Sequence, residues 1–586
     1  MKKFIYLSAL CLTLILQACS QEAKVEEADL VMICTTDAHG LILPQNAVKT
    51  PATSNCLAAL STYIKQLREE NPDGMMLFDT GDFFQGTPLL YYYNYVNPRE
   101  PNIGARAANL LGYDAMQIGN HDLEPGEIFY REHLPLLLKA PMLCANASIK
   151  TADNNFFKPY TILERKGFRI AVIGLIAPEA LLGLTKSSYP NIEFEKMSTA
   201  AQRCIETIKQ KENPDMIIGL LHSGMEQGFK TKDSETIQEL IDNAPGFDML
   251  LLGHDHRHLQ KKMIDCNMKL VYVLQPLPDM LEASRADIHL KRKDGKVEIE
   301  IIPSVVEINK MEIDQEFCDA FKPDLERVNK FMEHALGYTK VSMDGSLSLI
   351  RQNALADMLH ATHIENTGAE ISFVSALSSY NQIPAGAISM FQLWEMYRYE
   401  NQLFKMWMTG EDILNFLEWG YGQQFDTMHS AKDHLLAFNY EEDGEIKISR
   451  FGPDVKTPHY NYTSAAGINY EVDVRKPAGK RVTITSMADG TPFDLERTYT
   501  VAISSYQATG GGGFIKNGLG WNDDDIKFHT LSQSPKDIRY YLAQYIKKHS
   551  PVTPKNLGRW RVVPEEWAAI AGERDLELMI PYIKKN

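Results

Sequence analysis

Five short segments in the first half of the chain combine histidine, aspartate and asparagine, side chains that bind transition metals. In chain order they are Asp37–His39, Gly81–Gly86, Gly119–Asp122, Leu221–Gly224 and Gly253–His256. A single histidine after a strand is more often a hydrogen-bonded structural residue, but five such segments in this order indicate a metal site. Mixed nitrogen and oxygen ligands suit Zn, Mn, Fe or Co and give little reason to expect Ca.

Each of these segments follows an apolar run with the length of a buried strand. The predicted strands are Asp29–Thr35, Met75–Phe78, Ala115–Ile118, Arg169–Leu175, Met216–Leu221 and Met249–Leu252. Amphipathic stretches between them, such as Cys56–Leu67 and Thr199–Lys211, have helical spacing. This alternation predicts an α/β layered domain. Open sheets place their sites just beyond the strand ends, where the polar segments fall.

A charged helix predicted at Gln315–Leu336 separates two halves of the chain. The second half begins near Thr339, has turns rich in Gly and Pro, and includes strand-like runs at Arg481–Ser486 and Thr498–Ser504. A chain of 586 residues is long for one core. We therefore predict a first domain at 20–314, a helical linker at 315–338 and a second domain at 339–586.

The composition is that of a soluble globular protein, with 44% hydrophobic and 23% charged residues. The formal net charge of -16 argues against nonspecific binding to nucleic-acid polymers, which depends on Lys and Arg. A small phosphate substrate remains compatible, because bound metal ions can reverse the charge locally.

The first 19 residues have the pattern of an export signal. Lys2 and Lys3 precede the apolar run Phe4–Leu16, which is too short for a comfortable membrane span. Leu16–Cys19 resembles a bacterial lipobox, which implies a lipid anchor at Cys19; the alternative is an ordinary cleaved signal. We expect an exported bacterial lipoprotein, in the periplasm or anchored to the outer membrane. The Glu-rich stretch Ser20–Asp29 is predicted to be a solvated spacer.

Together the five segments resemble the calcineurin-like metallophosphoesterases, specifically their nucleotidase branch. They match the family patterns DxH, GDxxQG, GNH, LxHSG and GHxH. The resemblance implies a four-layer α/β/β/α catalytic domain followed by a smaller α+β domain. It also implies two divalent ions, one held by Asp37, His39, Asp82 and His256, the other by Asp82, Asn120, His222 and His254.

The implied ligand set has a definite charge. Two divalent ions bring four positive charges, of which Asp37, Asp82 and a bridging hydroxide remove three. The remaining charge of about +1 attracts phosphate without trapping it. The ions also lower the pKa of their bound water, so that a hydroxide nucleophile for attack on phosphorus exists near neutral pH.

His121 follows a ligand in sequence but is not one itself. In the family this histidine stabilises the transition state or protonates the leaving oxygen, and an acid three residues later holds it. That acid is usually Asp; here it is Glu124, which could instead be a solvated turn residue. A carboxylate bonded to the imidazole would raise its pKa and fix its tautomer. Asp122 is expected to have a structural or supporting role, and His258 to lie on the surface.

The second half resembles the C-terminal domain of exported nucleotidases. The matching segments include Ile383–Gly386, Tyr397–Asn401 and Ser504–Tyr506, followed by the glycine run Gly510–Gly513. In that family two aromatic rings hold the nucleobase, and Tyr399 and Tyr506 occupy their positions. The alternative is that Tyr399 and Tyr506 lie in the hydrophobic core and have only a structural role. Stacking is worth roughly 1–3 kcal/mol per base and accepts any base.

Two departures from the 5'-nucleotidase pattern remove polar contacts. Ser375–Tyr380 replaces an NGGGIR-like segment, and Gly512 stands where an Asp is usual. The segment at Ser375–Leu377, the run Tyr397–Asn401 and Gly467–Asp473 look more like the 2',3'-cyclic-nucleotide 2'-phosphodiesterase/3'-nucleotidase group. Three alternatives stay open. One is a 5'-nucleotidase or UDP-sugar hydrolase, another an esterase for non-nucleotide phosphates, and the third a non-catalytic surface binding lipoprotein.

Overall fold

The computed structural model describes residues 26–47, 52–149, 157–182, 184–226, 233–377, 382–449, 452–555 and 557–583. The chain divides into two compact units. Unit 1 comprises the described residues up to Asn46 together with Thr50–Ala180 and Tyr189–Pro323. Unit 2 comprises Leu181–Ser188, Asp324–Asn586 and a short piece at 47–49.

Unit 1 contains fourteen strands among its described residues. They are β1 Glu26–Thr35, β2 Met75–Asp79, β3 Ala115–Gln117, β4 Met142–Leu143, β5 Ala147–Ile149, β6 Tyr160–Arg165, β7 Phe168–Ile176, β8 Ile192–Phe194, β9 Met216–His222, β10 Met249–Leu252, β11 Leu259–Ile264, β12 Leu270–Gln275, β13 Glu282–Lys293 and β14 Lys296–Glu307. Its α-helices are α1 Leu57–Glu70, α2 Pro88–Tyr91, α3 Ile103–Leu111, α4 Leu134–Leu137, α5 Met197–Lys211 and α6 Ile237–Asn243. Helix α7, Gln315–Glu333, spans the division between the units.

Two six-stranded sheets form the centre of unit 1, in the orders β14-β13-β1-β2-β3-β4 and β11-β12-β10-β9-β7-β6. Strands β1 to β4 run parallel, as do β7, β9, β10 and β12. The buried core joins alternate residues of β1, such as Leu30, Met32 and Cys34, with Ile170 and Val172 of the other sheet. Helix α5 packs against β7 of this sandwich, and the predicted layered α/β fold is confirmed.

The six predicted strands of unit 1 all form, and their boundaries shift by three residues at most. The carboxyl ends of β1, β2, β3, β9 and β10 lead directly into the five polar segments. Parallel strands bring their carboxyl ends to the same edge of a sheet. The topology therefore carries the candidate ligands of each sheet to one edge.

Unit 2 contains fourteen further strands among its described residues. They are β15 Ala335–Thr339, β16 Met343–Asp344, β17 Ile371–Ser375, β18 Gln382–Ile383, β19 Gly386–Ser389, β20 Gln402–Thr409, β21 Ile448–Ser449, β22 Gly452–Pro453, β23 Thr463–Ala466, β24 Ile468–Asp473, β25 Val482–Met487, β26 Thr498–Ser504, β27 Thr530–Asp537 and β28 Trp560–Val563. Its α-helices are α8 Ala354–Thr367, α9 Met390–Met396, α10 Gly410–Gln424, α11 Ser505–Ala508, α12 Asp523–His529, α13 Ile538–Lys548 and α14 Glu565–Ile583.

A five-stranded sheet in the order β23-β17-β26-β20-β27 forms the centre of unit 2, beside a three-stranded sheet β25-β24-β28. The aromatic rings of Phe373, Phe416 and Phe514 stack in its core, with centroid distances of 4.1 and 4.6 Å between neighbours. Helix α10 starts with a capping box, in which Thr409 accepts from the N–H of Asp412 and the Asp412 carboxylate accepts in return. Mixed strands and helices give an α+β domain, as predicted.

Two predicted boundaries were wrong. Glu26–Asp29 pair with β13 and therefore belong to β1. The predicted spacer consequently does not extend to Asp29. The charged helix ends at Glu333 and not at Leu336, because Ala335 already pairs with Ser389 in a two-stranded sheet. The predicted signal and Cys19 lie outside the described residues. Among the described helices, none is long and apolar enough to cross a membrane.

Candidate active site

Six of the seven predicted ligands form two clusters in unit 1. Asp37, His39 and His256 form one, and Asp82, His222 and His254 form the other; within each, the potential ligand atoms lie within 4.8 Å of one another. The seventh, Asn120, joins the second cluster, since its Oδ1 lies 2.9 Å from Nε2 of His222.

The spacing of these atoms suits a transition metal. His39 Nε2 and His256 Nε2 are 3.3 Å apart, and His256 Nε2 lies 3.4 Å from Oδ1 of Asp37. In the other cluster, His222 Nε2 lies 3.3 Å from Oδ2 of Asp82. Ligands about 2.0–2.2 Å from a tetrahedral ion are separated by roughly 3.3–3.6 Å. The donors present therefore fit two divalent ions in both chemistry and spacing.

The backbone at these ligands is unusual. Asp37, His39, Asp82, His254 and His256 have φ between 43° and 82°, in the left-handed region. This conformation is uncommon outside glycine, although Asp and His adopt it more readily than most residues, and each instance costs on the order of 1–3 kcal/mol that the surrounding structure must offset. Such positions cluster at functional sites. The loops thus turn these side chains sharply out of their strands, which the sequence pattern did not predict.

Asp122 enforces part of this loop geometry. Its Oδ1 accepts hydrogen bonds from the N–H groups of Phe83 and Phe84 at 2.9 and 2.7 Å. Its Oδ2 accepts from those of Asp82 and Gly119 at 2.9 and 2.8 Å. The Asp122 side chain is fully buried. One carboxylate thus joins the loop after β2 to the loop after β3, consistent with the supporting role expected from the sequence.

The Asp37 carboxylate connects the two sheets of unit 1, and its backbone N–H joins the loops after β1 and β2. Its N–H donates to the carbonyl of Gly81 at 2.9 Å, and its carboxylate accepts from the N–H of His254 at 3.0 Å. His222 is oriented through its other ring nitrogen, since Nδ1 lies 2.8 Å from the carbonyl oxygen of Thr80. That contact leaves Nε2 facing Asp82, the usual orientation of a metal-binding imidazole.

The charges of the site are strongly coupled. Burial opposes ionisation of Asp82, but the nearby charges of His222 and His121 hold its pKa well below the ordinary value. Burial, together with the charge of His222, lowers the pKa of His254 to about 4. The His254 imidazole is therefore neutral at neutral pH, the form that can donate a lone pair to a metal.

His121 lies beside the clusters and is held by two hydrogen bonds. Its ring Nδ1 is 2.8 Å from Oε1 of Glu124, and its N–H donates to Oδ1 of Asp82 at 2.8 Å. The His121 ring also contacts that of His39, with centroids 5.6 Å apart. Glu124 therefore stands where the sequence placed the histidine's acid partner, although its side chain is longer than the usual Asp. His258 pairs with Glu282 at 2.8 Å and is half-exposed.

In unit 2, the two predicted tyrosines lie in one aromatic cluster, which we call the tyrosine cluster: Tyr399, Tyr460 and Tyr506. The Tyr460 ring lies 6.3 Å from that of Tyr399 at 65°, and 6.3 Å from that of Tyr506 at 80°. Tyr399 is 38% exposed and the other two rings are half-buried. Neither Tyr399 nor Tyr506 is fully buried. No sequence motif indicated Tyr460, which lies in the separate turn His459–Asn461.

Hydrogen bonds tie the loops of Tyr399 and Tyr506 together. The Asn401 side-chain oxygen accepts from the Ser505 hydroxyl at 3.3 Å, and that hydroxyl accepts from the N–H of Gln402 at 3.1 Å. The fully buried Arg539 donates to the carbonyls of Tyr397 and Arg398 at 2.8 and 2.6 Å. The backbone on both sides of the two rings is thus fixed.

The glycine run next to Tyr506 has a steric basis. A Cβ atom on Gly511 would lie 2.5–2.6 Å from the Tyr506 ring. Gly512 has φ +67°, and a Cβ there would lie 2.8 Å from Oδ1 of Asn461. The Asp that typical 5'-nucleotidases carry at this point does not fit without rearrangement. Of the altered segment before Gln382, residues 378–381 lie outside the described residues.

Two family models match the chain. The model of calcineurin-like phosphoesterases matches residues 30–258, and that of the 5'-nucleotidase C-terminal domain matches residues 335–517. The first contains every predicted ligand together with His121 and Glu124. The second contains all three rings of the tyrosine cluster.

Curated relatives are similar over most of the chain. Identity is 22% with the 2',3'-cyclic-nucleotide 2'-phosphodiesterase/3'-nucleotidase of Haemophilus influenzae, over 92% of this chain and 88% of that protein. The sequence identity is 23% with the 5'-nucleotidase of Vibrio cholerae, over 91% of this chain and 97% of that protein. The trifunctional nucleotide phosphoesterase YfkN of Bacillus subtilis is 24% identical over 97% of this chain, which spans only 41% of that protein.

Solved structures share the fold. A 5'-nucleotidase precursor from Thermus thermophilus has a TM-score of 0.59 at 20% identity, over 92% of this chain and 100% of that chain. A Staphylococcus aureus chain crystallised with alpha-ketoglutarate has a TM-score of 0.73 at 17% identity, over 91% and 100%.

Proposed function

Because the chain combines a calcineurin-like phosphoesterase domain with a 5'-nucleotidase C-terminal domain, we propose that it hydrolyses phosphate esters of nucleotides. It is a metal-dependent phosphoric ester hydrolase. The observation that carries the proposal is the pair of ligand clusters, Asp37-His39-His256 and Asp82-His222-His254. The histidine paired with Glu124 and the tyrosine cluster further support the proposal.

The two clusters would hold two ions of the Zn, Mn, Co or Fe type, and we propose that Asp82 would be shared by both ions and Asn120 would complete the second site. Two such ions supply a hydroxide nucleophile near neutral pH and stabilise the charge on the phosphoryl oxygens. Asp37, His39 and His256 would hold one ion, and His222 and His254 would hold the other.

In this proposal, His121 is the acid or charge-stabilising residue of the reaction. The Glu124 carboxylate faces Nδ1 of the ring, so Nε2 points away from Glu124. A carboxylate partner favours the protonated ring and holds one tautomer. We assign His121 as the group that protonates the leaving oxygen or stabilises charge on the phosphoryl group, and Glu124 as its positioning residue.

The tyrosine cluster supplies nucleobase binding. The exposed ring of Tyr399 and the half-buried ring of Tyr506 offer flat apolar faces, and aromatic stacking accepts every base. This surface favours a nucleotide over a simple phosphate ester, and it argues against the non-nucleotide alternative.

Among nucleotides, we favour 2',3'-cyclic and 3'-nucleotides. The 5'-nucleotidase-type Asp is absent at Gly512, and Oδ1 of Asn461 lies against that position. The second candidate is a 5'-nucleotidase or UDP-sugar hydrolase, which the similarity to the Vibrio cholerae 5'-nucleotidase favours. We also propose export of the chain as a lipoprotein anchored at Cys19, on the lipobox pattern of the sequence.

Phosphate release tests both candidates. The purified chain is supplied in turn with Mn, Co and Zn and assayed on 3'-AMP, 2',3'-cyclic AMP, 5'-AMP and UDP-glucose. We expect the highest kcat/KM for 2',3'-cyclic AMP or 3'-AMP. A preference for 5'-AMP or UDP-glucose would select the second candidate. An Asp82→Asn variant prepared identically identifies any contaminating phosphatase, and failure to cleave any nucleotide would refute the proposal.

A further inference from the structure

We infer that Tyr460 is a specificity-determining residue that closes one end of the nucleobase site and favours purines over pyrimidines. The inference rests on the proposed function, because it assigns the base to the tyrosine cluster. It adds a third ring to the two that the family resemblance supplies.

The geometry of Tyr460 differs from that of a stacking partner. Its ring lies at the same 6.3 Å from both Tyr399 and Tyr506, at steep angles of 65° and 80°. A base stacked parallel to one of those rings therefore meets the Tyr460 ring at a steep angle, 65° if it is parallel to Tyr399 and 80° if it is parallel to Tyr506. Aromatic rings prefer this edge-to-face arrangement to direct face-to-face contact. Tyr460 thus contacts the edge of the base, while Tyr399 and Tyr506 contact its faces.

The turn that carries Tyr460 is fixed against the loop of Tyr506. The Asn461 carbonyl accepts from the Thr463 hydroxyl at 3.2 Å, and that hydroxyl accepts from the Gln507 side chain at 2.7 Å. Gln507 follows Tyr506 directly and is fully buried. The distance between the Tyr460 and Tyr506 rings is therefore fixed. The contact that Tyr460 makes with a bound base then depends on the length of that base.

This arrangement makes the site sensitive to the size of the bound base. A purine extends further from its glycosidic bond than a pyrimidine, because it has two fused rings. A ring at the end of the site consequently makes more contact with a purine. An edge-to-face contact contributes up to about 1.5 kcal/mol beyond burial, which corresponds to a factor on the order of ten in affinity.

Direct binding measures this contact without hydrolysis. Calorimetric titration of the full chain with adenosine and with cytidine is compared for wild type, Tyr460→Ala, Tyr460→Leu and Tyr460→Phe. The Leu variant keeps apolar volume if the Ala variant does not fold. Tyr440→Ala is the matched control, since Tyr440 is also in unit 2 and is 45% exposed. Hydrolysis of 3'-AMP, 3'-CMP and p-nitrophenyl phosphate is followed in parallel.

We expect the Ala and Leu variants to bind adenosine roughly three- to tenfold more weakly and cytidine nearly as before, with the Phe variant and the Tyr440 control unchanged. The KM for 3'-AMP should rise correspondingly, and p-nitrophenyl phosphate hydrolysis should not change. Unaltered adenosine binding, or an equal loss for both nucleosides, would overturn the role of Tyr460 while leaving nucleotide hydrolysis intact. A wild-type chain that neither binds adenosine nor cleaves nucleotides would overturn both proposals.

Discussion

Nδ1 of His121 lies 2.8 Å from Oε1 of Glu124, in a contact spanning three residues of a short turn. A carboxylate at this distance orients the imidazole and favours its protonated form. In the same turn, the backbone N–H of His121 donates a hydrogen bond to Oδ1 of Asp82. Both the ring and the backbone of His121 are therefore held in position.

His121→Ala should retain the bound metal and lower turnover roughly 100-fold or more, the usual scale for a positioned acid. Steady-state kinetics with metal analysis on the same samples measures both quantities. His258→Ala provides the control, because that ring pairs with Glu282 outside the ligand clusters. Unchanged turnover at full metal content would remove His121 from the mechanism.

Replacing one histidine in either cluster should lower the number of metal ions bound per chain. His256→Ala removes a donor of one cluster and His222→Ala a donor of the other, so each variant should bind about one ion where the wild type binds two. Elemental analysis after dialysis against trace Mn or Zn gives the count. Two ions retained by either variant would contradict the assignment of that histidine.

Asp122→Asn should destabilise unit 1 without removing a ligand. The new amide nitrogen cannot accept, so two of the four N–H groups that Asp122 satisfies lose their partner, at a cost of about 2–4 kcal/mol. Scanning calorimetry of the metal-free proteins measures the change. Asp73→Asn is the control, because Asp73 is exposed and its left-handed backbone tolerates Asn. A melting temperature equal to wild type would show that the loops hold without Asp122.

Replacing Tyr399 and Tyr506 together by Ala should raise KM for nucleotides at least tenfold, since each lost stack is worth at least about 1 kcal/mol. Hydrolysis of p-nitrophenyl phosphate should change little, because it depends mainly on the metal site. A double variant that keeps its nucleotide KM would count against base binding by the tyrosine cluster.

Unit 2 should lose stability in acid through two buried histidines. Burial lowers the pKa of His360 and of His363 to about 3, and their rings share the hydroxyl of Ser372 at 3.0 and 3.2 Å. The unfolded chain binds these protons near pH 6.5. Between pH 6.5 and 3 it therefore holds more protons than the folded chain, and stability falls by up to about 1.4 kcal/mol per pH unit for each histidine.

All six tryptophans of the sequence lie between residues 394 and 567, so their fluorescence reports unfolding of unit 2. His363→Gln should make the fall in unfolding free energy from pH 6 to pH 4 less steep than in the wild type. His289→Gln, in unit 1 and half-exposed, should leave the slope as it is. Equal slopes in all three proteins would exclude His363 as the acid-sensitive group.

The predicted strands of unit 1 formed because their apolar runs are continuous and flanked by polar turns, a pattern that local sequence records well. The same pattern placed the ligands at strand ends, and the fold brings them together. The start of β1 was missed because Glu26 and Glu27 pair with a strand more than 260 residues away. Charged residues on such a partly exposed strand are indistinguishable from a spacer in sequence alone.

The supporting residues were harder to predict. The acceptor role of Asp122 depends on two loops that meet only after β2 and β3 pair. Tyr460 reaches the tyrosine cluster through a turn 61 positions after Tyr399, and no spacing rule connects them. Both effects arise from tertiary contacts, which a single sequence does not encode locally.

The left-handed backbone at Asp37, His39, Asp82, His254 and His256 has a consequence for protein engineering. The directions of these side chains are set by their loops and not by the regular strands that precede them. Grafting the seven ligands onto a foreign scaffold of ideal strands and helices would therefore aim five of them wrongly. A transplant that works must carry the loops entire, with Asp122 among them, because that carboxylate binds two of the loops by their backbone.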